Sequence, residues 1–306
     1  MRWQDMRPSQ NVEDRRGQGP VGAGGFGGGG MRIGLGGLII AVIASLLFGI
    51  NPLEMLGGGG APVPAPSPDA GYGPRTAPGP SPQPGVPGAQ KADAPGAMMT
   101  RLLGDTEDVW KALFQAIGQR GGYPPTTLVL YQGGTRTACG RGQAAMGPFY
   151  CPADQKIYLD TAFFNELSQR FRAPGDFAQA YVVAHEVGHH VQNVLGTMQQ
   201  FDRQVSRLDG RSRNQMQIRL ELQADCYAGV WGFFAQKRGL LEPGDLEEGL
   251  RAASAVGDDM IMKRTQGYVV PDAMTHGTAE QRQRWFRKGL ATGDPRQCDT
   301  FSTPTP

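Results

Sequence analysis

The sequence predicts a mostly helical α+β domain, preceded by one transmembrane helix and a disordered Pro/Gly-rich linker. Three observations carry this. Residues 33–53 run for 21 positions without a charge, residues 57–97 hold 11 prolines and almost no large apolar side chain, and residues 98–306 mix short β-rich runs with long stretches of helical periodicity.

The run IGLGGLIIAVIASLLFGINPL at 33–53 is long enough to cross a hydrocarbon layer as a helix. Arg2, Arg7, Arg15, Arg16 and Arg32 precede it, whereas Glu54 follows and no basic residue appears before Arg75. Positive charge resists translocation, so residues 1–32 are expected in the cytoplasm and the following domain outside it. A cleaved signal peptide is the alternative, with small residues at Ala61–Ala65, but a 32-residue leader is long for such a signal. Residues 54–97 are expected as a linker, because a segment so poor in apolar surface cannot offset the entropy of ordering. The whole chain has 46 Gly and 24 Pro, too many for a compact fold throughout.

Within 98–306, Trp110, Leu113, Phe114 and Ile117 recur at helical spacing. TTLVLYQ then reads as a strand, and GPFYCPADQKIYLD, from Gly147 to Asp160, as a hairpin about a Pro-Ala-Asp turn. Helices are expected near 161–172, 176–196, 214–238, 243–262 and 278–290. The formal charge of +2, from 30 basic and 28 acidic residues, gives no nucleic-acid-binding surface. Cys139, Cys151, Cys226 and Cys298 include no CxxC pair, which speaks against a cysteine-based zinc knuckle.

The chemistry concentrates in AHEVGHHVQ. His185, Glu186 and His189 form H-E-x-x-H inside the helix expected at 176–196, and the chain has only four histidines. Positions i and i+4 share a helix face, so both imidazoles can bind one Zn²⁺, with Glu186 beside them to take a proton from activated water. His190 lies one position off that face and is read as a supporting or surface residue. A catalytic zinc takes three protein ligands, so one more is needed. The metzincin pattern would place Gly at 192 and His at 195, where this chain has Gln192 and Leu195. His276 is one candidate. The other is Glu221 in ELQADCYAG, an acid in an otherwise apolar helix with Asp225 one turn later. Glu221 on the metal and Asp225 on a ligand imidazole would give both acids a reason to be buried, with a salt bridge to Arg219 as the plainer account.

H-E-x-x-H followed by E-x-x-A-D on a later helix resembles the gluzincin arrangement of membrane-associated metallopeptidases of the Ste24/HtpX type. The opening MRWQDMRPSQNVEDRRG, the Gly-rich stretch, HEVGHHVQ and ELQADC in this order are similar to the bacterial predicted neutral zinc metallopeptidases. The resemblance implies a zincin-like, membrane-bound peptidase. It also implies a pair aimed at the tetrahedral intermediate, His276 and Arg282 of THGTAEQRQRWF, although Gly277 stands where the Ste24-like group usually has Pro. A helix cap with a solvent-exposed Arg282 is the alternative. In zincins generally the strand before the zinc helix lines the substrate, a role that would fall to the 147–160 hairpin.

Cys139 and Cys151 are near enough in sequence for a loop-closing disulfide, and Cys226 could join Cys298 and tether the C-terminal tail to the helix of Glu221, with buried free thiols as the alternative. The expected function is peptide-bond hydrolysis, with one Zn²⁺ per chain on His185, His189 and Glu221 and a peptide or protein as substrate. A tethered scaffold with a purely structural zinc, or a hydrolase of cell-wall amides, are the competing readings.

Overall fold

The computed structural model describes residues 1–18, 94–143 and 146–304. Four strands form the main sheet. β1 (Val12–Asp14), β2 (Thr127–Tyr131) and β6 (Lys156–Asp160) run parallel, and β5 (Phe149–Cys151) closes the end antiparallel to β6. Leu128 is paired with Val12 on one side and Ile157 on the other. β2 and β6 are apolar along most of their length, as strands covered on both faces must be. β3 (Gly134–Thr137) and β4 (Gly140–Gln143) make a separate hairpin.

The helices are α1 (Ala94–Ala116), α2 (Phe163–Gln169), α3 (Asp176–Val194), α4 (Thr197–Val205), α5 (Gly210–Lys237), α6 (Asp245–Ala255), α7 (Asp258–Gln266) and α8 (Ala279–Thr292). α1 starts inside the stretch expected as linker, with Pro95 in the first turn, where its missing N–H leaves no bond unmade. The single helix expected over 243–262 is two, α6 and α7. They part at Gly257, whose backbone is extended. α8 opens on a capping box, Thr278 with Gln281.

α3 is the buried centre, with Phe177, Tyr181, Val183, Val187 and Val191 in the main core. α5 crosses it on one side and α8 crosses α5 in turn. Where α5 meets α8 the backbones touch: a Cβ on Gly229 would lie 2.1 Å from the Phe286 carbonyl oxygen, and one on Gly289 would lie 2.0 Å from that of Cys226. Only glycine permits this approach. Arg282, two turns before Gly289, is thereby brought against Asp225, one turn before Gly229.

Residues 1–18 belong to the same body. Besides the β1–β2 pairing, Met1 and Met6 are buried in the core, and the Met1 ammonium lies 2.7 Å from Asp176. Ser9 and Asn11 both donate to Glu107 of α1, at 2.6 and 2.8 Å. This corrects the sequence-based expectation of topology. Residues 33–53, where the transmembrane helix is expected, lie outside the described residues, as does the linker up to residue 93, and no helix among the described residues is long and apolar enough to cross a membrane. A single crossing between Asp14 and Ala94 would also put the two on opposite sides of a membrane, which the pairing of β1 with β2 does not allow. The membrane-spanning part of the fold class and the single-pass localisation, cytoplasmic N-terminus with extracytoplasmic domain, are therefore overturned. A mostly helical domain with a small sheet stands.

Candidate metal centre

The i, i+4 spacing on α3 stacks His185 and His189 on one face, and α5 carries Glu221 across from them. The two helices come close at Gly188, where a Cβ would lie 3.0 Å from the Ala224 carbonyl oxygen. Glu221 Oε2 is 3.3 Å from His185 Nε2 and 3.6 Å from His189 Nε2. Tetrahedral zinc, with bonds of about 2.0–2.1 Å, needs donor atoms about 3.3 Å apart. The donor set therefore has the spacing and chemistry that zinc takes, and these three residues could hold one ion. The other oxygen of Glu221, Oε1, accepts from Gln217 Nε2 at 3.1 Å. His276 is not in this group.

Each ligand is held from behind. Asp225 Oδ1 lies 2.9 Å from His185 Nδ1, and being an acceptor it leaves Nε2 bare for metal. Asp225 is fully buried and takes a bidentate pair from Arg282, Nε to Oδ2 at 2.8 Å and Nη2 to Oδ1 at 2.9 Å, with the Tyr181 hydroxyl also donating. Arg282 gives further bonds to Tyr181 Oη and the Val256 carbonyl. Arg282 is thus buried, not the solvent-exposed residue of a helix cap considered from sequence, and four of its five N–H groups are engaged within the protein. His189 Nδ1 lies 2.9 Å from Gln192 Oε1. Gln192 and Tyr181 escape sequence reading, since a neutral polar residue on a helix carries no sign of what it meets.

Glu186 is buried, and its Oε2 has no hydrogen-bond partner in the protein. Burial pushes its pKa up, while the His189 and His185 charges pull it down. Burial likewise opposes ionisation of Asp225 and Glu221, but here the cations win. Arg282 and His185 lower Asp225 to about 2, and His189, His276 and His185 hold Glu221 well below the usual carboxylate range. For His185, burial disfavours the imidazolium, and the Asp225 charge and hydrogen bond together with Glu221 outweigh it, raising the pKa to about 9. The buried carboxylates Glu186, Glu221 and Asp225 of this centre outnumber the buried guanidinium of Arg282, which is paired with Asp225. Such an excess of negative charge requires protons or a cation.

His276 Nδ1 is 3.1 Å from Asp258 Oδ1 and 3.0 Å from Thr275 Oγ1. Asp258 also accepts the backbone N–H groups of Thr275, His276 and Gly277. Burial lowers the His276 pKa, but the Asp258 and Glu221 charges raise it overall. His190 is fully buried, with Nε2 2.7 Å from the Pro124 carbonyl and Nδ1 3.1 Å from Tyr150 Oη, so it ties α3 to β5. Cys139 is joined to Cys151, which bridges the β3–β4 hairpin to β5, and Cys226 to Cys298. Arg219 is not a partner of Glu221 or Asp225. It donates to carbonyls of the C-terminal tail, among them Thr303 at 2.6 Å.

A second donor group, Asp176, Asp245 and Glu248, has comparable spacing. The Met1 nitrogen lies against it, 2.7 Å from Asp176 and 3.3 Å from Asp245.

Comparison with known proteins adds to this geometry. The family model described as "Putative neutral zinc metallopeptidase" matches residues 1–301. The chain is 43% identical over 304 residues to the uncharacterized protein YpfJ of Escherichia coli K12, covering 98% of this chain and 99% of that one. It is 44% identical over 225 residues to the uncharacterized protein Rv2575 of Mycobacterium tuberculosis H37Rv, covering 69% of this chain and 73% of the relative. No solved structure matches the chain.

Proposed function

The chain belongs to the family of putative neutral zinc metallopeptidases, and from that premise we propose that it hydrolyses peptide bonds, with His185, His189 and Glu221 as zinc ligands and Glu186 as general base. The observation that carries the proposal is the orphan oxygen of Glu186. A buried carboxylate oxygen without a protein partner, beside three converging donors, is costly unless a water or substrate uses it. A purely structural metal site gives no reason to keep it.

Bound zinc would supply Lewis acidity, polarising a carbonyl and making water a better nucleophile near neutral pH. The other steps fall to the protein. Glu186 takes a proton from the attacking water and returns it to the leaving amine, a transfer that its raised pKa favours. His276, kept as an imidazolium by the Asp258 and Glu221 charges, donates Nδ1–H to Asp258 and has its Nε2–H left for the oxygen on which charge develops. Arg282 acts through Asp225, by fixing the carboxylate that orients His185. β5 is the terminal strand of the sheet, and His190 holds its Tyr150 to the zinc helix, so a peptide could pair along that edge.

The test is Glu186→Gln in the full chain. The variant should bind zinc as the parent does and cleave a diverse peptide library on the order of 10²–10⁴-fold more slowly. Equal cleavage by parent and variant at equal zinc content overturns the assignment.

A further inference from the structure

Gln192 lies on the turn of α3 that follows His189, and its amide is fully buried. Gln192 Nε2 faces two acceptors, the Leu220 carbonyl at 2.7 Å and Gln223 Oε1 at 3.0 Å. Gln223 Nε2 in turn donates to the Cys298 carbonyl at 2.9 Å. A backbone carbonyl can only accept. Leu220 therefore fixes which end of Gln192 is NH₂, and Cys298 does the same for Gln223. Gln192 Oε1 is left to face His189, whose Nδ1 must donate, and Nε2 is bare on the side of Glu221. One polarity runs through the whole chain of bonds.

Its far end is the C-terminal tail, which has two independent anchors on α5. The Cys226–Cys298 disulfide is one, and Cys298 is fully buried. The other is Thr300, whose Oγ1 donates to the Arg219 carbonyl at 2.6 Å while Arg219 holds tail carbonyls in return. The tail therefore lies along the stretch of α5 that presents Glu221. Were the Cys298 carbonyl to leave, Gln223 would lose one of the two bonds that orient its amide, and a flipped Gln223 would set NH₂ against NH₂ at Gln192.

We infer that Gln192 and Gln223 are positioning residues that relay the disulfide-anchored tail to His189, so that zinc affinity depends on a carbonyl at residue 298. The inference rests on His185, His189 and Glu221 being the metal centre. An acceptor behind a ligand imidazole sets its tautomer and ring orientation, and losing it typically weakens metal binding about 10–100-fold.

The experiment measures zinc affinity of the full chain by competition with a chromophoric chelator, and the visible spectrum of the Co²⁺-loaded protein. Gln192→Leu should weaken zinc by about 10–100-fold and change the Co²⁺ spectrum. Gln223→Leu should weaken zinc by about tenfold, and adding Cys226→Ser with Cys298→Ser to it should weaken zinc no further, because both break the same chain. If Gln223→Leu does not fold, Gln223→Met takes its place. Folded Gln192 variants with parental affinity, or fully additive losses at Gln223 and the cysteines, overturn the relay. A parent chain that takes up no zinc overturns the metal centre itself, whereas a zinc-binding parent with unaffected variants overturns the relay alone.

Discussion

His185 and His189 lie one turn apart on α3 and lean on unlike partners. Behind His185 stands a buried ionic cluster, Asp225 with Arg282, completed by the Tyr181 hydroxyl. Behind His189 stand neutral amides, Gln192 and Gln223, ending on a backbone carbonyl. The ionic side is short and self-contained but hazardous to disturb, because each charge is buried on the strength of the other. The neutral side involves no such risk, yet it makes one ligand depend on a segment far along the chain. One pair of like ligands can thus be supported by charge on one flank and by hydrogen-bond polarity on the other.

The sharpest way to break the contrast is Asp225→Ala, which leaves the Arg282 guanidinium buried and unpaired. The metal-free protein should lose about 3–5 kcal/mol in urea unfolding, well beyond any single glutamine variant. Chelation comes next. A zinc at 100 to 1,000 times its dissociation constant stabilises the fold by about 3–4 kcal/mol, so removing it should lower the melting temperature in proportion, and readdition should restore it.

Proton linkage separates the two flanks further. In the metal-free protein the His185 pKa is raised to about 9, so below that pH its imidazolium donates to Asp225 and Glu221, and zinc must displace the Nε2 proton. Zinc affinity should therefore rise by up to about tenfold per pH unit from pH 7 and cease to gain from this residue above about 9. The stability that this proton lends the metal-free fold runs the other way, fully present below the unfolded value near 6.5 and lost as pH rises through about 9. An affinity that is flat from pH 7 to 9 would show that His185 does not carry this proton in the metal-free protein. The smallest effect is expected from Tyr181→Phe. It takes one hydroxyl from the cluster and keeps both charges, at about 1 kcal/mol in unfolding with little change in zinc affinity.

The sequence exposes the charged half of this arrangement far better than the neutral half. His185, Glu186 and His189 announce themselves by spacing, and Glu221 and Asp225 by being acids among Leu220, Leu222 and Val230. Arg282 is visible as a residue, but its partner depends on the glycine contact of α5 with α8, which no local pattern encodes. Gln192 and Gln223 read as ordinary polar positions, since their meaning lies in which carbonyl each amide faces. β1 is hidden for a similar reason. Three residues, Val-Glu-Asp, have no periodicity of their own and become a strand only because β2 offers an unpaired edge. The division of 243–262 at Gly257 is decided by packing against the start of α8, where a Cβ would come within 2.4 Å of the Ala279 amide nitrogen.

The place of β1 in the sheet also imposes an order of events during synthesis. A ribosome releases Val12 early, but the strand that must receive it, around Leu128, emerges much later, and the other neighbour of that strand, around Ile157, later still. Until then Val12–Asp14 has no strand to pair with, although α1, whose Glu107 accepts from Ser9 and Asn11, has already been made. A strand made early is thus among the last to be paired, and a nascent chain halted before Leu128 would display it unpaired, where proteases could trim it.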